Sequence, residues 1–493
     1  MTSSIRPVMS FVVVATGTVG ENRFVDSARS TEGSKVELIL VPGSSQLANA
    51  VNSAIESSTG QLVAIVSASD RLMPGAITSI ETELLSSPGI GVLYGDDIEH
   101  GTVVLRPEFS PERLRCQNYL GGLVGYSREI LAEVGALRED LPGAELYDLV
   151  LRATRSAELV SHLATPLIEI AGARPLASVE TSVALNSIRE VLTQHLAATG
   201  GGYVNAVSLL VNDTRRYVVG TPLVSIVIPT RGDSATVRGE LRCMVVEAVR
   251  SIITVSTYVD IEIIVVVDDV TPPAVRRELD EIAGARVRFV EWSGPFSFSG
   301  KMNLGVVHAR GEFVLFLNDD IEVISPDWIS AMLALAQRPG AGIVGSMLYF
   351  EDETIQHAGH AYYRTDVTHI GFHSPRGAKG PSGAFEVERE VNGVTAACAL
   401  MPRDVFFEVG GFSTLLPGNF NDVDLCLKIA VKGYQAYWTP HAELYHFESQ
   451  SRDPKVAAYE IERAWGRWEH ALWDSTFWPD NPHLTYPVES SAD

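Results

Sequence analysis

Cysteine is scarce in this chain: there are four in 493 residues, Cys116, Cys243, Cys398 and Cys426, far apart and without the short spacings of a metal knot. That excludes a disulfide scaffold and a thiolate cluster, and the four read as buried thiols of a reducing cytoplasm. Long apolar runs are also missing. No segment approaches the roughly 18 residues of a spanning helix. The early run Phe11-Val12-Val13-Val14-Ala15 is too short for the core of a secretion signal and reads as a first strand. Basic residues are in deficit, with 38 Lys and Arg against 61 Asp and Glu and a net charge of −23. A surface of that sign repels phosphate backbones and anionic lipid, which argues against a nucleic-acid partner and a polybasic membrane anchor. The remaining composition, 46% hydrophobic and 20% charged, is that of a globular protein. The length suggests roughly two to four domains.

What the sequence does have is a buried strand that ends in acid. Phe313–Leu317 is wholly apolar and runs into Asn318-Asp319-Asp320. In an extended chain residues i and i+2 share a side, so Asn318 and Asp320 project together at the carboxyl end of the strand, where parallel sheets bind ligands. Hard oxygen ligands there suit Mg2+ or Mn2+ carrying a diphosphate. An Asx-rich turn that caps the following helix is the competing reading of these residues.

Strands alternating with helices over residues 9–170 and again over 221–450 predict parallel α/β sheets. The two stretches also repeat one another. Asn52 with Gly60 and the strand Val63–Ser69 recur 251 residues on, as Asn303 with Gly311 and Val314–Asp320. Glu133-Val134-Gly135 and Leu141-Pro142-Gly143 recur 275 residues on, as Glu408-Val409-Gly410 and Leu416-Pro417-Gly418. The pattern predicts an internal duplication with about 24 extra residues in the second copy. The first copy has Ser67 and Ser69 in place of Asn318 and Asp320, and Leu146 in place of Asp422. Asp70 follows one residue late, and Asp96-Asp97 reads as a solvated turn. The expected division is a degenerate domain at 1–175, a bridging helix and extended linker at 176–220, a catalytic domain at 221–450, and a C-terminal helix and tail at 451–493. An amphipathic helix is predicted over Pro454–Trp473, with a turn at Trp478-Pro479-Asp480-Asn481-Pro482 and a frayed end at Val488–Asp493.

The second copy carries a succession of motifs. They are Val224-Ser225-Ile226-Val227-Ile228-Pro229-Thr230, a strand ending at Asp268, Phe296-Ser297-Phe298-Ser299 leading to Asn303, and Leu317-Asn318-Asp319-Asp320. Thr354-Ile355-Gln356-His357-Ala358-Gly359, Asn421-Asp422-Val423-Asp424-Leu425-Cys426, Trp438-Thr439-Pro440 and Glu443-Leu444-Tyr445-His446-Phe447-Glu448-Ser449 follow. In this order they resemble inverting family 2 glycosyltransferases of GT-A fold, most of all the two-domain bacterial enzymes of O-antigen and cell-surface polysaccharide assembly. The resemblance covers 221–480 closely and 9–220 in degenerate form. It implies two tandem GT-A-like domains with mostly parallel sheets, and transfer of a hexose from a nucleotide-diphosphate sugar to a glycan or lipid-linked glycan. The enzyme would be cytoplasmic, with no membrane span and room for peripheral association at the inner face of the membrane. A rhamnosyl or galactosyl donor is the family-level expectation.

The resemblance also assigns roles. Asp320 and His446 become ligands of Mn2+ or Mg2+, with a satisfied core histidine as the competing reading of His446. Asn318 and Asp319 belong to the Asp-x-Asp-type motif, Asn318 replacing the commoner Asp. Pro229, Thr230, Asp268, Lys301 and Asn303 fall on the donor side, Asp268 toward the nucleotide base; a solvated lysine is the competing reading of Lys301. Asp422 resembles the general base that takes the acceptor's proton, while Asp424 caps or anchors the helix from Leu425. Two rivals stand against the enzyme. One is a non-catalytic sugar- or nucleotide-binding scaffold, which the acids kept in copy two and lost in copy one oppose. The other is a nucleotidylyltransferase, for which Arg231-Gly232-Asp233 is a poor triphosphate loop.

Overall fold

The computed structural model describes residues 6–15, 22–32, 35–43, 47–171, 179–363, 366–447, 456–472 and 476–479. Glu448 and Ser449, the ends Pro454 and Trp473 of the expected tail helix, and the expected features at 480–482 and 488–493 lie outside them. The chain forms two compact units, one up to Arg215 and one from Arg216 to Trp478.

The sheet of the first unit comprises Met9–Val14 (β1), Val36–Val41 (β2), Leu62–Ser67 (β3), Arg71–Leu72 (β4), Ile90–Glu99 (β5), Val124–Ser127 (β6) and Leu159–Ile170 (β7). Their order is β2-β1-β3-β6-β5-β7-β4, with the short strand Thr102–Val104 beside β5. In the second unit the strands are Val224–Thr230 (β8), Ile261–Asp268 (β9), Val287–Trp292 (β10), Phe313–Leu317 (β11), Ile321–Val323 (β12), Ala341–Tyr349 (β13), Cys398–Pro402 (β14) and Gln435–His446 (β15). Their order is β10-β9-β8-β11-β14-β13-β15-β12. Apart from the added β10, this is the order and pairing sense of the first unit. The strands β9, β8 and β11 run parallel, β14 is antiparallel to both neighbours, and β13 and β15 are parallel again.

Two polar clasps recur in both units. Ser10 Oγ donates to Glu37 and accepts from Gly60 N–H, just as Ser225 Oγ donates to Glu262 and accepts from Gly311 N–H. A Cβ on Gly60 or Gly311 would lie 2.5 Å from backbone atoms, so only glycine lets the incoming chain approach this closely. In the second clasp the Asn52 amide donates to Leu137 O and accepts from Leu137 N–H, both at 2.9 Å, and Asn303 does the same with Phe412 at 2.8 and 2.9 Å.

The second sheet is covered on both faces because its strands are apolar at alternate and intervening positions. Ile226 and Ile228 pack with Val249, Leu279 and Trp328 on one side, and Val227 packs with Met302 and Val306 on the other. Residues 350–397 separate β13 from β14, whereas only 100–123 separate the corresponding β5 and β6. The longer segment forms Ile355–His357, His360–Tyr363, Asp366–His369 and Arg389–Val391.

Two expectations change. The helix Thr181–Ala198, read as a bridge, buries Ile188, Val191 and Leu192 in the core of the first unit. Asp96 and Asp97 are not a solvated turn: both are buried within β5. Asp97 pairs with Arg106, while Asp96 and Glu108 hold His162, whose pKa burial alone would lower but which these partners push up to about 9. The tail helix is Ala458–Trp468, and Trp468 packs with Val423 and Leu427. No described helix is long and apolar enough to cross a membrane.

Candidate active site

The buried strand β11 releases Asn318, Asp319 and Asp320 at its carboxyl end, and the alternation of an extended chain separates them. Asp319 turns toward β8, where Thr230 Oγ donates to its carboxylate at 2.6 Å. Asn318 and Asp320 turn the other way. The antiparallel register of β12 on β15 sets Ile321 opposite His446, and so brings the imidazole to this pair. His446 Nε2 lies 3.0 Å from Asn318 Nδ2 and 3.2 Å from Asp320 Oδ1. Its Nδ1 lies 2.6 Å from Gln356 Oε1. An amide oxygen only accepts, so Gln356 fixes the proton on Nδ1 and leaves the Nε2 lone pair facing the acidic cluster.

Asp319 has a pKa held above the ordinary carboxylate range, first by burial and then by the Asp320 carboxylate beside it, with the Thr230 hydroxyl working the other way. Two acids crowded in this manner are relieved by a cation. The donor set of one carboxylate, one imidazole nitrogen and one amide fits Mn2+ or Mg2+, Mn2+ accepting the nitrogen more readily.

Lys301 is not solvated. It is 1% exposed and donates to Asp268 at 2.7 Å and to Thr230 O at 3.2 Å, a charge pair under the ends of β8 and β9. A buried ammonium needs such a partner.

Asp422 sits in the first turn of the helix Asn421–Val431, which begins four residues before the expected Leu425. Its carboxylate accepts Ala396 N–H at 3.3 Å. Phe420, just ahead of the helix, has φ 56° and stands edge-on to Trp465 of the tail helix. That helix also secures the loop: Glu460 accepts the N–H groups of Gly418 and Asn419 and the Asn419 amide, and Trp468 Nε1 donates to Asp424 at 2.9 Å. Asp424, buried and also paired with Lys428, is the anchor expected of it.

A cavity of about 430 Å3 is lined by Pro229, Thr230, Lys301, Asn318, Asp319, Asp320, Asp422 and His446. Asp268 does not line it but pairs with Lys301 and lies 3.9 Å from Arg231, both of which do. Asn303 does not line it, because both amide atoms are taken up by Phe412, as those of Asn52 are by Leu137 in the first unit. The donor-side expectation for Asn303 is therefore corrected to a structural clasp. Asn303→Ala, which strands two backbone groups, should cost about 1–3 kcal/mol of stability and lower the thermal midpoint with ligand affinity unchanged. Lost affinity at unchanged stability would return Asn303 to the site.

Gln356, His360, His369, Thr395, Ala396 and Asn419 also line the cavity and were not assigned to it from sequence. Burial lowers the pKa of His357 and of His360, keeping both imidazoles neutral. In the first unit the corresponding hollow is about 40 Å3, lined among others by Asp70 and Leu146. Asp70 there accepts Ser67 N–H and Ala171 N–H, the work of a buried turn.

Residues 222–469 match the family described as glycosyltransferase-like family 2. Over 436 residues, 85% of this chain and 47% of the relative, the sequence is 34% identical to the uncharacterized protein y4gI of Sinorhizobium fredii. It is 29% identical over 469 residues, 92% of this chain and 36% of the relative, to the O-antigen biosynthesis protein RfbC of Myxococcus xanthus. A shorter match of 156 residues, 29% of this chain and 50% of the relative, is 28% identical to the N-acetylglucosaminyl-diphospho-decaprenol L-rhamnosyltransferase of Mycobacterium tuberculosis. The chain thus spans half or less of the length of these relatives.

Proposed function

The chain belongs to the glycosyltransferase-like family 2, and we propose that its second unit is a metal-dependent inverting hexosyltransferase acting in cell-surface polysaccharide synthesis. The donor is a nucleotide-diphosphate sugar and the acceptor a hydroxyl of a glycan or lipid-linked glycan. The observation that carries this reading is that Asp320, His446 and Asp422, far apart in sequence, line one cavity of a size suited to a small ligand. Asp320 and His446 would hold Mn2+ or Mg2+, with Asn318 beside them. An ion held there would supply neutralisation of the charge that develops on the leaving diphosphate.

The protein's own groups do the rest. Gln356 keeps the His446 lone pair aimed at the ion's position. The Lys301–Asp268 pair and Thr230 form the wall on which the nucleotide rests, with Pro229 beside Thr230 at the end of β8. Asp422 takes the proton of the acceptor hydroxyl as its oxygen forms the new bond to the anomeric carbon, while the bond to the diphosphate breaks on the opposite face. Inversion follows from that opposition. Glu460 and Trp468 hold the loop and helix turn that carry Asp422. A thermal-shift panel of UDP-, GDP- and dTDP-sugars with and without Mn2+ tests the reading: one nucleotide class should stabilise the chain, and only with metal. No metal-dependent stabilisation by any of them would favour a scaffold instead.

We further propose that the first unit has no donor site. The support is the small hollow, with Leu146 and Asp70 where an acceptor base and a metal ligand would be needed. Calorimetric titration of the whole chain should give one donor per chain, and two equivalents would contradict this.

A further inference from the structure

Three histidines gather beside the cavity. His357 ends the edge strand Ile355–His357, while His360 and His369 stand directly opposite one another in the hairpin His360–Tyr363 and Asp366–His369. Their ring centres are 4.7, 5.1 and 5.2 Å apart, and each pair is steeply inclined, at 77°, 78° and 61°. One nitrogen of each lies within 4.8 Å of the other two, and His357 Nδ1 and His369 Nδ1 are 3.1 Å apart. His357 and His360 are buried, and His360 Nδ1 is buried with no hydrogen-bond partner among the described residues. Three imidazoles on one tetrahedral ion, with metal–nitrogen distances of about 2.0–2.1 Å, have nitrogens roughly 3.4 Å apart and ring centres roughly 5 Å apart.

We propose that His357, His360 and His369 form a second metal site, for a borderline-soft divalent ion such as Zn2+. An all-imidazole set selects differently from the oxygen-rich wall at Asp320, which suits Mg2+ or Mn2+. Burial keeps the rings in the neutral form that ligates. Without an ion, His357 Nε2 accepts Thr395 N–H at 3.2 Å, which puts the His357 proton on Nδ1 and directs it to His369. Ligation through His357 Nδ1 moves that proton to Nε2 and exchanges this long hydrogen bond for a coordinate bond. The ion staples a two-stranded hairpin, a marginal element by itself, to the edge of the main sheet. His360 and His369 line the cavity, so a water from that side completes the coordination. This site does not depend on the transferase reading.

The test uses the full chain carrying Asp320→Ala, which removes the first site, stripped with chelator and titrated with Co2+ as a visible stand-in for Zn2+. One Co2+ per chain should bind with a tetrahedral ligand-field band and be displaced by Zn2+. Adding His360→Gln or His369→Gln should weaken binding by at least about tenfold. His369 is only partly buried, so its variant remains informative if His360→Gln does not fold. Absence of the band in Asp320→Ala, or its survival in the histidine variants, overturns the site.

Discussion

Asp320→Ala should abolish sugar transfer and, in the same stroke, remove metal-dependent binding of the donor. Asp320 stands at the end of β11 with its carboxylate 3.2 Å from His446 Nε2, and these two are the strongest ligands at that strand end, where the neighbouring acid, Asp319, is engaged by Thr230. Without the carboxylate, an imidazole and an amide remain, too few to hold a hard dication that prefers oxygen. The diphosphate then loses the charge that would balance it both when it binds and when it leaves. Activity and affinity therefore fall together. An Asp320→Ala variant with metal-stimulated turnover would remove Asp320 from the ion. The fold should be spared, because the strand before it is fixed by apolar burial from Phe313 to Leu317.

Asp422→Asn should separate what Asp320→Ala joins. The amide keeps the shape of the side chain and its place in the first helical turn, where the carboxylate accepts Ala396 N–H. It cannot take a proton. Loss of a general base costs roughly 10²–10⁴ in rate, and the donor, on the opposite wall, should bind nearly as before. Initial rates at saturating donor measure the first effect and calorimetry the second. If affinity for the donor falls in step with turnover, Asp422 belongs to the donor wall.

The parts of the site that were legible in sequence are those where a buried strand stops. Phe313–Leu317 and Ile263–Val267 each run apolar into acid, and the period of two foretold that Asn318 and Asp320 would face one way and Asp319 the other. The repeat was legible too, through Asn52 and Asn303. Its meaning was misread at Asn303. A first copy that lost its carboxylates but kept Asn52 marks that position as structural, and the shared clasp on Leu137 and Phe412 is what it keeps. The Ser10–Glu37–Gly60 clasp escaped notice because its members lie on three separate elements and no short spacing joins them.

Other residues were hidden by long-range register. Gln356 meets His446 across 90 residues, through strands that belong to the longer segment between β13 and β14. No periodicity encodes that meeting. Lys301 looks like a surface lysine on a short helix, and only the convergence of β8 and β9 beneath it makes it a buried partner of Asp268. Asp96 and Asp97 failed for the converse reason: a pair of acids after Tyr94-Gly95 reads as a turn unless Arg106 and His162 are known to meet them.

In the proposed function one crevice has a donor wall governed by Asp320 and an acceptor wall governed by Asp422. The most direct test is calorimetric titration, in the presence of Mn2+, of wild type, Asp320→Ala and Asp422→Asn with whichever nucleotide sugar stabilises the wild type. The expected result is binding to wild type and Asp422→Asn within a few-fold of one another and none to Asp320→Ala. Loss of binding in both variants, or its retention in both, would contradict the division of the crevice into these two walls.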